Sequence, residues 1–131
     1  MKRIDIVRSA LVAGGFFYLL TGISLLFTSQ WFYDNIGFYP PYNRHYAGDL
    51  GAFTIPMAIA ILYAARQPER HRLLIAFAFA GSLVHAFNHL VDDPIINTLP
   101  LFAFAALFWV AWYLCPTEGP TETARSSTQR V

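Results

Sequence analysis

Between Arg8 and Asp34 the chain carries no formal charge for 25 residues, Ser9 to Tyr33. About 20 apolar residues suffice to cross the hydrocarbon of a bilayer as a helix. The stretch also exceeds the apolar region of about 7–15 residues that a cleaved signal peptide carries, so it reads as a permanent span. The remaining charges are gathered at 34–49, 66–72, 92–93 and 118–130. Further apolar stretches lie between them. Only 13% of residues are charged and 56% are hydrophobic, against about 25% and 45–50% in an ordinary soluble domain. These features predict an all-α fold, an integral membrane four-helix bundle of antiparallel up-down topology occupying residues 1–115, with spans at about 6–30, 45–65, 73–91 and 98–115. Residues 116–131, polar and threonine-rich, are expected to be a disordered tail.

Net charge is +1, so no basic field invites nucleic acid. The expected partners are the lipid bilayer and, through narrow helix faces, other membrane helices or further copies of the chain. Ala10 and Gly14 form a small-xxx-small pair extended by Gly15 and Gly22, and Gly48 with Ala52 offers a similar face on the second span. The single cysteine, Cys115, lies in an apolar run where packing is its expected role. Trp31, Tyr33, Phe38, Tyr39 and Tyr42 near Pro40 and Pro41 predict an aromatic interfacial connection, and Trp109, Trp112 and Tyr113 a second aromatic belt. Pro56 predicts a kink in the second span, with Thr54 available to the freed carbonyl. Asn97 or Thr98 is the expected N-cap of the fourth span, ahead of Pro100. His71, in the loop RQPERHR, reads as a solvated residue outside any site.

Lysine and arginine mark the cytoplasmic side. Lys2, Arg3 and Arg8 lie in the N-terminal segment, Arg66, Arg70 and Arg72 separate the second span from the third, and Arg125 and Arg130 lie in the tail, whereas the other two loops hold only Arg44. The expected localisation is therefore the cell membrane, multi-pass, with both termini cytoplasmic. That orientation places His45 and Asp49 at the outer end of the second span and His85 and His89 at the outer end of the third. Each pair is spaced i, i+4 and shares a helix face. A short loop makes spans two and three expected neighbours, so His45, Asp49, His85 and His89 are the candidate metal ligands. Asn88, Asp92, Asp93 and Arg44 lie close enough in sequence to rim them.

Imidazoles with a carboxylate suit zinc, iron or copper better than calcium or magnesium. Such a site is transition-metal or redox-linked. Two other readings stay open: a structural hydrogen-bond network in a non-catalytic membrane scaffold or accessory subunit, and a proton-coupled or quinone-type site. Two histidines on one helix face cannot be opposite axial ligands of a haem. The chain has no G-x-S-x-G elbow for nucleophilic hydrolysis and no glycine-rich phosphate loop.

At NRHYAGDLGAF (Asn43 to Phe53) and HAFNHLVDD (His85 to Asp93) the chain resembles small uncharacterised four-helix bacterial integral membrane proteins, loosely DoxX-like, over about residues 6–115. Arg44, Tyr46 and Gly48 resemble an arginine-aromatic-glycine element that opens the second span of such proteins. The resemblance implies the four-helix architecture. DoxX itself is associated with thiosulfate oxidation to quinone, but no cysteine or recognised catalytic motif carries that activity to this chain.

Overall fold

The structure, a computed structural model, describes residues 2–37 and 39–117, apart from the side chains of Asp92 and Asn97. The expected tail falls almost wholly outside the described residues. Among these residues there are five α-helices and no strand: α1 (Arg3–Phe27), α2 (Ser29–Asn35), α3 (Arg44–Ala64), α4 (Arg72–Asp92) and α5 (Ile95–Leu114), with one 3-10 turn at Pro68–Arg70. The all-α expectation holds. By length and composition α1, α3 and Arg72–Val91 of α4 can each cross a membrane, while the apolar portion of α5, Thr98–Leu114, is shorter.

Local chemistry explains most helix boundaries. The Lys2 backbone N–H donates to Asp5 Oδ2 at 3.1 Å and opens α1. Asn43 caps α3, its Oδ1 accepting from the backbone of His45 and Tyr46 at 2.9 and 3.2 Å. The helix runs through Pro56, and Thr54 Oγ1 donates to Leu50 O at 2.6 Å. Pro56, lacking an amide proton, frees the carbonyl of Ala52 instead, so Thr54 does not serve the expected acceptor. The start of α5 also differs from expectation. Pro94 has a fixed φ of −56° and the helix begins immediately after it, so Thr98 lies inside the first turns with its hydroxyl donating to Pro94 O at 3.2 Å.

Packing reverses the size order of a soluble protein. Buried positions are mostly small, including Ala10, Gly14, Gly15, Gly22, Ala47, Gly51, Ala58, Ala78, Ala86, Ala105 and Ala111. Phe16, Leu20, Phe53, Leu73, Phe77, Val84 and Val91 face outward. A soluble monomer rarely exposes so much apolar surface; lipid tails accept it, and small residues let helices approach closely. A Cβ on Gly51 would stand 2.7 Å from both Gly22 O and Leu26 N, so α1 and α3 meet backbone to backbone. Gly14 similarly lies beneath the fully buried ring of Phe108 on α5. The expected partner Ala52 is exposed; Gly51 supplies the close approach on α3.

The principal neighbour of α3 is α1, that of α4 is α5, and α1 also packs on α5. Contact between α3 and α4 is limited despite their short connection, contrary to the expected pairing. Val7, Leu11, Ile61, Ala64, Ile75, Ala78, Phe108, Ala111 and Cys115 form the contiguous core. It lies toward the end that holds residues 2–8 and 66–72, here called the basic end. Gly51→Ala is expected to lower stability by about 1–3 kcal/mol through overpacking. Gly81→Ala, where a Cβ meets nothing within 4 Å, is expected to raise it by about 0.4–1 kcal/mol. Denaturant titration in detergent micelles, read by circular dichroism, checks both; equal shifts would remove the Gly22–Gly51 approach from the packing argument.

Candidate functional site

The face that each helix buries decides which candidate residues can meet. On α3 the buried residues Ala47, Gly51, Thr54, Ala58 and Ile61 recur every three or four positions against α1. His45 and Asp49 each stand two residues from a member of that series, about 200° around the helix. They therefore face away from it. His45 Nε2 lies 3.4 Å from Asp49 Oδ2, with side chains 81% and 57% exposed.

On α4 the relation is opposite. Ile75, Ala78, Ser82 and Ala86 are buried, and steps of three and four continue the series to His89 and Asp93. His89 Nδ1 contacts Asp93 Oδ2, the two side chains about one-third exposed. The His85 and His89 rings meet edge to face with centroids 4.6 Å apart. This pair thus extends the interior face of α4, near its C-terminal end.

The four candidate ligands accordingly stand as two pairs, one on the outward face of α3 and one on the inward side of α4. No hydrogen bond or ion pair joins the pairs among the described residues. Nor do those residues include any group of three or more His, Cys, Asp or Glu that could hold a metal ion. Arg44 has a different task from rimming a site. Its Nη2 donates to Leu26 O at 2.9 Å, near the C-terminal end of α1. Gly48 makes room for this guanidinium, since a Cβ there would stand 2.6 Å from Arg44 Nη1. Tyr46 points outward, 70% exposed.

A polar contact the sequence reading did not single out lies deeper. Tyr18 on α1 and Ser82 on α4 place their hydroxyl oxygens 2.7 Å apart, and Ser82 Oγ donates to Ala78 O at 2.7 Å. With that proton committed, Tyr18 is the donor to Ser82. The contact ties α1 to α4, beside Phe17, Phe104 and Phe108 around Tyr18. The available signal was depth: each hydroxyl lies near the middle of its apolar stretch. Ser82, His85, His89 and Asp93 then form one lane along α4, running from mid-helix to its far end.

No protein family, curated protein or solved structure matches the chain.

A double-mutant cycle with Tyr18→Phe and Ser82→Ala is expected to give a favourable coupling of about 0.6 kcal/mol, with roughly 1.7 kcal/mol as the upper end for interhelical hydrogen bonds in lipid. Denaturant titration in micelles measures it. Additive single-mutant effects would mean that the hydroxyls only happen to be adjacent.

Proposed function

We propose that the chain is a four-span, up-and-down integral membrane protein, both termini cytoplasmic, that acts as a non-catalytic scaffold or accessory subunit of a membrane assembly. The observation that carries this reading is the local pairing of the far-end charges. Asp49 and Asp93 each meet a histidine one turn away on the same helix. Neither contact needs a second helix or a bound ion to satisfy it, so the pairs serve as ties at helix ends. The outward apolar faces and small-residue contacts suit lipid and neighbouring helices. The 20 residues of α5 rise about 30 Å, the thickness of the hydrocarbon, which supports a fourth span. The arginines at 66–72 and the basic N-terminus support the orientation.

One feature favours a second reading, a transition-metal or redox-linked site on α4 alone. Asp93 engages Nδ1 of His89, the arrangement by which a carboxylate orients a ligating imidazole through its other nitrogen. His85, with its ring 4.6 Å away, would supply the second nitrogen. Zinc, iron or copper would need further donors beyond these two imidazoles.

Elemental analysis of protein purified without a histidine tag separates the readings. The scaffold reading expects no stoichiometric zinc, iron or copper, and a loss of less than about 1 kcal/mol for His89→Ala, the range of partly exposed pairs. About one metal per chain, lost in His85→Ala and His89→Ala, would end it in favour of the second. Native electrophoresis of mild membrane extracts should also show the 14.8 kDa chain in a larger assembly; migration as a monomer counts against a scaffold. Cysteines introduced in the 66–72 loop should resist impermeant reagents added outside intact cells, and labelling there would invert the orientation.

A further inference from the structure

The connection from α3 to α4 borders a half-open surface hollow of about 180 Å³ lined by Tyr63, Arg66, Gln67 and His71. Every one of these side chains can donate a hydrogen bond and none is a carboxylate. His71, expected to be a solvated loop residue, is partly buried, with its ring 4.8 Å from that of Tyr63. Arg66 is exposed and makes no side-chain hydrogen bond or ion pair among the described residues. Arg72 differs: its guanidinium donates to the Cys115 carbonyl and lies 5.3 Å from the centre of the Trp112 ring. One guanidinium closes the protein's own structure, while the other stands at a hollow with donors around it.

The position of the hollow selects its ligand. Ala64 ends one candidate span and Arg72 begins the next, so the hollow sits where hydrocarbon gives way to headgroups. Trp109, Trp112 and Tyr113 lie toward the same end of α5, with Trp109 and Tyr113 stacked at 5.7 Å. Aromatic rings of this kind occupy the headgroup level. Lys2, Arg3 and Arg8 share this end and add positive charge.

We infer that the hollow binds the phosphate of an anionic membrane lipid. Arg66 presents its forked N–H groups to the phosphate oxygens, and His71, Gln67 and Tyr63 complete the donor set. A zwitterionic headgroup is disfavoured because its ammonium would approach Arg66. This inference rests on the membrane placement of α3 and α4 and is independent of the scaffold reading.

The full chain in neutral detergent, titrated with phosphatidylglycerol, phosphatidylcholine or inorganic phosphate and read by native mass spectrometry, tests it. Phosphatidylglycerol should bind roughly tenfold or more tightly than phosphatidylcholine; both present a phosphate to Arg66, so the difference is set by the ammonium that only the zwitterionic lipid brings to the basic end. Arg66→Gln should lose about tenfold or more, and His71→Gln should weaken binding in the same direction. Arg8→Gln, an exposed arginine at the same end, should lose no more than the roughly fivefold that one basic group contributes through general attraction to an anionic surface. Equal losses in Arg66→Gln and Arg8→Gln, or equal binding of the two lipids, would overturn the assignment. Displacement of phosphatidylglycerol by millimolar inorganic phosphate would overturn it too, replacing the lipid site with a free-anion site.

Discussion

The absence of side chains at Gly22 and Gly51 is the constraint on which the arrangement depends. In lipid there is little hydrophobic gain from bringing two apolar helices together, so association relies on close van der Waals packing and on the hydrogen bonds that proximity permits. Gly51 meets the Gly22 carbonyl and the Leu26 amide with no room for a methyl group. This contact fixes both how near α3 stands to α1 and which face it presents. Gly14, beneath Phe108, does the same for α5. The first helix thereby becomes the element shared by both partners.

Once the rotation of α3 is fixed, so is the destination of its polar groups. Thr54 is buried and bonds within its helix, whereas His45 and Asp49 are carried to the far side. On α4 the same three-and-four spacing brings Ser82, His89 and Asp93 into line on the inward face. The two histidine-aspartate pairs share residue types and i, i+4 spacing but stand in different environments. Rotation about the helix axis, rather than depth alone, distinguishes an outward pair from an inward one.

Much of the helical order was legible in the charge-free stretches, because water will not spare a lone span its backbone hydrogen bonds and lipid demands that they be made internally. The structure's α3 and α4 begin and end within a residue or so of the expected limits. The buried role of Cys115 and the small-residue face of α1 were legible for similar reasons. The placement of His45 and Asp49 on a different face from that expected, apart from His85 and His89, was not. The expected meeting of the two pairs used loop length to choose neighbours and topology to choose depth, but a short loop does not determine how far two helices remain in contact. Gly51, closer than Ala52 to the true interface, carried the missing information. Tyr18 and Ser82 were obscured because hydroxyls are ordinary within apolar helices, and only their juxtaposition distinguishes this pair.

The bond from Arg72 to the Cys115 carbonyl has a spatial consequence for the polypeptide that follows. It fastens the end of α5 to the beginning of α4, with Trp112 beneath the guanidinium. Pro116 therefore leaves from a defined place at the rim of the basic end. A domain fused beyond this point starts its reach from beside the 66–72 connection. The clasp thus gives the C-terminal extension a fixed point of departure.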